Sequence, residues 1–103
     1  MPHWTEHTQY QFHCERMYPD QTAAEIAAAV EATIYVGCMV EEYVGAWEGK
    51  ATPGFRVTWI APHDDAEGEN YTVNNLRVFL AAFTGNKCVM PTRQKIEVYC
   101  TCE

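Results

Sequence analysis

The stretch TAAEIAAAVEATIYVGCMVEEYVGAW, residues 22–47, decides the fold, because it reads either as a helix followed by a strand or as one long helix. Thr22 to Glu25 form a capping box, in which the Thr22 hydroxyl and the Glu25 carboxylate satisfy orphan amides at a helix start. The alanine-rich run that follows carries Ile26, Val30 and Thr33 or Ile34 on one side, with Glu25 and Glu31 off that side, so the helix should pack on a sheet through small residues. The run from Thr33 to Val36 is β-branched and aromatic, and Gly37 is a natural terminator. Both favour a helix ending near Gly37 and a strand from about Met39 to Trp47. The competing reading keeps Ile26, Val30, Thr33, Gly37, Val40 and Val44 in helical spacing and continues the helix to about Val44. The strand is preferred.

Upstream, from Glu6 to Met17, Thr8, Tyr10, Phe12 and Cys14 alternate with His7, Gln9, Gln11, His13 and Glu15, a period of two that predicts a strand with one apolar and one polar face. Pro19-Asp20 breaks it. Downstream, Gly49 to Gly54 is a turn by composition, and Phe55, Val57, Trp59 and Ala61 then alternate with Arg56, Thr58 and Ile60 as another strand. Pro62 to Asn70 reads as an acidic loop holding Asp64, Asp65, Glu67 and Glu69. A second helix is expected from about Thr72, with Val73, Leu76, Phe79, Leu80 and Phe83 on one face and Gly85 placed to cap it. In the last strand, Gln94 to Cys102, Ile96, Val98, Cys100 and Cys102 alternate with Lys95, Glu97, Tyr99 and Thr101, and the apolar set is expected to join the core.

With four strands the order is βαββαβ: an α+β two-layer sandwich in the ferredoxin-like or split-βαβ arrangement, an antiparallel sheet with two helices on one face and the other face open. The long first helix would instead give βαβαβ. Either way the 103 residues make one domain, long enough to bury a core without obligatory staples.

Composition narrows the function classes. Asp plus Glu total 14 against 7 for Lys plus Arg, and the basic residues are scattered from Arg16 to Lys95, so direct binding to DNA or RNA is disfavoured. There is no serine, which excludes a serine nucleophile. The N-terminal residues lack the basic and apolar regions of a secretory signal, and the apolar stretch from Ala27 to Val40 is interrupted by Glu31 and too short for a membrane span. A soluble cytoplasmic protein is expected, and five cysteines, an odd set, fit a reducing compartment.

Several groups are candidates for chemistry. If the first and last strands pair, Cys14, Cys100 and Cys102, with Cys88 in the approach loop, could hold a tetrahedral zinc. The spacing is not that of a zinc ribbon or finger, however, and buried thiols are the plainer reading. His13 points to the strand face opposite Cys14, which argues against a Cys-His enzyme. No catalytic residue is assigned, no cofactor other than that zinc alternative is implied, and a non-enzyme is preferred, with an enzyme left open under the pocket alternative below. The polar face of the first strand, His7, Gln9, Gln11, His13 and Glu15, should share the open sheet face with Arg56, Thr58, Lys95, Glu97 and Tyr99. The bland reading of that face is an ordinary solvated sheet. The His7–His13 pair lacks a third metal ligand of fixed spacing. The acidic loop lacks the EF-hand order of ligands and reads as a solvated connection or a contact for a basic protein. Trp4, in a polar segment before the first strand, is the tryptophan expected at a partner surface, whereas Trp59 belongs in the core.

The leading expectation is a small acidic protein-binding module. It would contact a basic protein through the open sheet face, through Asp64, Asp65, Glu67 and Glu69, or through both, as an inhibitor or adaptor. Some small proteins of phages and mobile elements mimic nucleic acid in this way, by analogy only. The alternative is a homodimer, closed sheet to sheet, that encloses a small-molecule or metal pocket with His7, His13, Arg56 and Tyr99 as its polar groups.

Overall fold

A computed structural model describes residues 3–16, 19–47, 49–62, 66–83 and 91–100. The elements run β1 (His3–Glu15), α1 (Ala23–Ile34), β2 (Met39–Trp47), β3 (Lys50–Ile60), α2 (Ala66–Phe83) and β4 (Thr92–Cys100). The strands form one antiparallel sheet in the order β2-β3-β1-β4, the expected ferredoxin-like βαββαβ fold.

The capped helix and the strand after it both form. Thr22 is the N-cap of α1, and its hydroxyl accepts the Glu25 amide at 3.2 Å. The helix ends earlier than the glycine suggests. Tyr35 adopts the left-handed conformation (φ 64°, ψ 34°) and donates its amide to the Glu31 carbonyl. β2 then starts at Met39, so the long-helix reading and its βαβαβ order are overturned.

Two connections are shorter than composition suggested. The expected turn from Gly49 to Gly54 is mostly strand: Gly49, at φ 79°, supplies the turn, and β3 is extended from Lys50 through Pro53 and Gly54. Pro53 lies beyond the part of β3 that pairs with β1, so its missing amide costs that ladder nothing, and its carbonyl accepts the Arg16 amide. The expected acidic loop is largely helix. α2 begins at Ala66 and takes Glu67 and Glu69 into its first turn, where carboxylates complement the positive end of the helix dipole. Asp64 and Asp65 lie outside the described residues, as do Met17 and Gly85.

The core lies between the sheet and the helices. Tyr10, Phe12 and Cys14 of β1, Phe55, Val57 and Trp59 of β3, and Ala61 meet Ile26 and Val30 of α1 and Leu76 and Leu80 of α2. All are buried, and Tyr10 stacks on Trp59 with ring centroids 5.9 Å apart. The alternation read from β1 and β3 is therefore the alternation observed.

β4 departs from the expected parity. It pairs with the first part of β1, setting Trp4 opposite Tyr99, Glu6 opposite Glu97, Thr8 opposite Lys95 and His7 opposite Ile96. Directly paired residues share a face. Lys95, Glu97 and Tyr99 therefore lie on the helix side with Thr8 and Tyr10, while Ile96 and Val98 lie on the open side with His7 and Thr5. The physical reason is coverage: α1 packs against β2 and α2 against β1, and Arg93, Lys95, Glu97 and Tyr99 are all exposed. An edge strand that no helix covers has no core for its apolar residues to join.

β1 also pairs with β3 mainly through its second half, Gln9 to Glu15, and with β4 through His3 to Gln11. This stagger draws the molecule out to 47 × 28 × 22 Å.

Candidate functional site

The open sheet face is assembled by register. β1 contributes Thr5, His7, Gln9, Gln11, His13 and Glu15, and β3 contributes Arg56, Thr58 and Ile60. β2 adds Met39, Glu41 and Tyr43, and β4 adds Ile96 and Val98. His7, His13, Glu15 and Arg56 thus share this face as expected, and Tyr99 does not.

The charged groups here are largely neutralised or engaged. Arg56 bonds Glu41 through Nε at 2.8 Å and through a terminal nitrogen at 2.7 Å, and its guanidinium lies 5.0 Å from the centre of the Tyr43 ring. The His13 ring sits 5.0 Å from the same tyrosine. Burial, reinforced by the Arg56 charge, lowers the His13 pKa from its ordinary 6.5 and favours the neutral ring.

His7 is held at both nitrogens. Nδ1 lies 2.6 Å from the Ala61 carbonyl, which can only accept, so Nδ1 carries a proton. Nε2 lies 2.7 Å from the Thr5 hydroxyl. Six residues of strand, about 20 Å, separate His7 from His13, so one chain does not bring the two rings into one pocket. Among the described residues no group of three His, Cys, Asp or Glu is arranged to hold a metal.

The zinc alternative does not gain from the register. Cys14 is buried on the helix side, whereas Cys100 pairs with His3, a register position of the opposite parity. Cys88 and Cys102 lie outside the described residues. The fifth cysteine, Cys38, is half-buried, and burial pushes its thiol up to about 11.

Trp4 and Tyr99 form their own feature. Trp4 belongs to β1 rather than preceding it, is 61% exposed and meets Tyr99 edge to face at 5.1 Å. The pair stands on the helix side of the sheet, beyond the helices' cover. Glu67 is exposed in the first turn of α2, and Glu69 accepts a hydrogen bond from the buried Tyr10 hydroxyl at 2.5 Å.

Sequence reading missed Met39, Tyr43 and Ile60 as members of the open face, and Tyr10, Arg93 and Lys95 as partners around Glu69. Period-two counting through β2 would have found Met39 and Tyr43. The β4 residues needed the register. No known protein family, curated protein or solved structure matches the chain.

Proposed function

We propose that this chain is a non-catalytic protein-binding module whose working surface is the open sheet face, and that the face seats a second copy of the chain. The observation that carries this reading is the face's composition. In a chain of net charge −7, it presents Met39, Ile60, Ile96 and Val98 among uncharged Gln9, Gln11 and Thr58, and its Arg56 is paired with Glu41. Met39 is 66% and Ile60 44% exposed. Two such faces meet without the like-charge cost that two acidic surfaces would pay. Four strands of about nine residues project to roughly 600 Å². With side-chain relief, that is of the order of the ~800 Å² per partner that a stable interface buries. The engagement of both His7 nitrogens within the chain supports binding over catalysis at this face.

Ile60→Asp, at an exposed position, tests this. Equilibrium sedimentation of the unmodified chain should give a dimer and the variant a monomer with an unchanged circular dichroism spectrum. A chain that stays monomeric at high concentration removes the reading.

A second reading rests on a different surface. Asp20, Glu25, Glu31 and Glu67 are exposed on the helix side of the molecule, and Arg77 is the one basic residue of the two helices. That balance supports contact with a basic protein, in the manner of an inhibitor or adaptor. Glu25→Lys with Glu31→Lys should then abolish capture of basic proteins without changing the oligomeric state.

A further inference from the structure

Where β4 runs past the helix layer, a cavity of about 340 Å³ opens between α2 and the β1–β4 ladder, lined by Thr8, Tyr10, Glu69, Arg93, Gln94 and Lys95. It lies off the open face and is independent of the binding role proposed for that face. Its polar groups come from three elements and converge because β1 and β4 are in register. Tyr10 pairs with Arg93 and Thr8 with Lys95, which places both cations on the side facing Glu69.

The cavity gathers opposite charges around one hydroxyl. The Tyr10 hydroxyl, on a residue 3% exposed, donates to Glu69, and Arg93 approaches the same hydroxyl. Burial first, then the Glu69 carboxylate, holds the Tyr10 hydroxyl protonated, with Arg93 opposing them, so the hydroxyl remains a donor to Glu69. Lys95 bonds the Thr8 hydroxyl at 3.0 Å, a neutral acceptor, and its nearest carboxylate partner, Glu6, is 3.9 Å away. Arg93 has no carboxylate partner among the described residues. One tyrosine hydroxyl therefore stands between the Glu69 carboxylate and Arg93, and Lys95 lies beside them with only the long, exposed pair to Glu6.

We infer that this cavity binds a small molecule that carries a carboxylate and an ammonium group close together, the α-amino acid arrangement, with the carboxylate at Arg93 and Lys95 and the ammonium at Glu69. Arginine suits the first role because its planar donors match a carboxylate in pairs. A volume near the lower end of the ~300–1,000 Å³ typical of ligand sites suits a ligand of that size. A plain anion would meet the cations but also the repulsion of Glu69, and a plain amine would meet the reverse.

The test is a set of amide chemical-shift titrations of the full chain with the proteinogenic L-amino acids, and with propionate and ethylamine, which are alanine stripped of its ammonium and of its carboxylate. Saturable shifts of the Tyr10, Glu69, Arg93 and Lys95 amides with at least one amino acid, and much weaker ones with propionate and ethylamine, are expected. Arg93→Ala, at an exposed edge position, should weaken amino-acid binding by about tenfold or more. Glu69→Gln should weaken it too while strengthening the response to propionate. Propionate matching the best amino acid on the wild-type chain, unchanged amino-acid affinity in Glu69→Gln with its fold intact, or no saturable shift with any amino acid would each overturn the inference.

Discussion

Gly54 marks the closest approach of β3 to β1: a Cβ built there would collide with the Cys14 carbonyl. The clash is with backbone, which cannot rotate away as a side chain can. Gly54→Ala should destabilise the fold by about 2 kcal/mol or more, read as a lower urea midpoint. The sequence displays this glycine beside Pro53 as a turn signal, and only its pairing with Glu15 reveals it as a contact between strands. The thiols are a second residue-scale case. Cys14 is buried, and the Cys38 thiol, pushed up to about 11, stays protonated near neutral pH. Both should react with a thiol-specific disulfide reagent at pH 8 far more slowly in the native chain than in the denatured one, as read by peptide mapping. The cysteines looked like a site in sequence because metal ligands and buried thiols share one residue type. Burial of Cys14 in the core favours the thiol reading for that residue.

At the scale of elements, the start of α1 is legible in the sequence, whereas its end and the start of α2 are not. Thr22 supplies a side-chain acceptor whose effect is local, so the sequence exposes it, and Thr22→Ala should cost about 1 kcal/mol. The end of α1 is set by Tyr35 in a left-handed conformation that costs an ordinary L-residue roughly 1–2 kcal/mol. Gly37, two residues later, is not the residue that turns. Tyr35 is 84% exposed, so Tyr35→Gly removes little packing and should raise stability by about 1 kcal/mol in urea denaturation. Composition places the start of α2 too late because Glu67, Gly68, Glu69 and Asn70 look like loop. The helix dipole and the Glu69 bond to Tyr10 both favour helix there. For the edge strand β4, alternation gives the right place and the wrong face. Alternation defines two faces, and it does not say which of them the helices will cover.

Across the whole molecule, charge divides between a weakly charged open face and an acidic helix side. The pH response of the open face centres on His13. Its native pKa is depressed, so below about pH 6.5 the unfolded chain takes up a proton that the native chain refuses, and stability falls as the pH drops toward the native pKa. Replacing the ring, as in His13→Gln, should flatten this part of the stability profile. A proton magnetic resonance titration of the imidazole should place the wild-type His13 below 6.5. The sequence by itself determined the number and order of the elements, the single core and the inward residues of β1 and β3. Periodicity and capping are local properties, and a strand covered by helices must turn its apolar residues toward them. Only the tertiary structure decided which side of the sheet receives each β4 residue, and with it the composition of the open face and the convergence of Tyr10, Glu69, Arg93 and Lys95. Those depend on the register between β1 and β4, strands far apart in the chain, and on how far the helix layer reaches. Neither is encoded within any single stretch of residues.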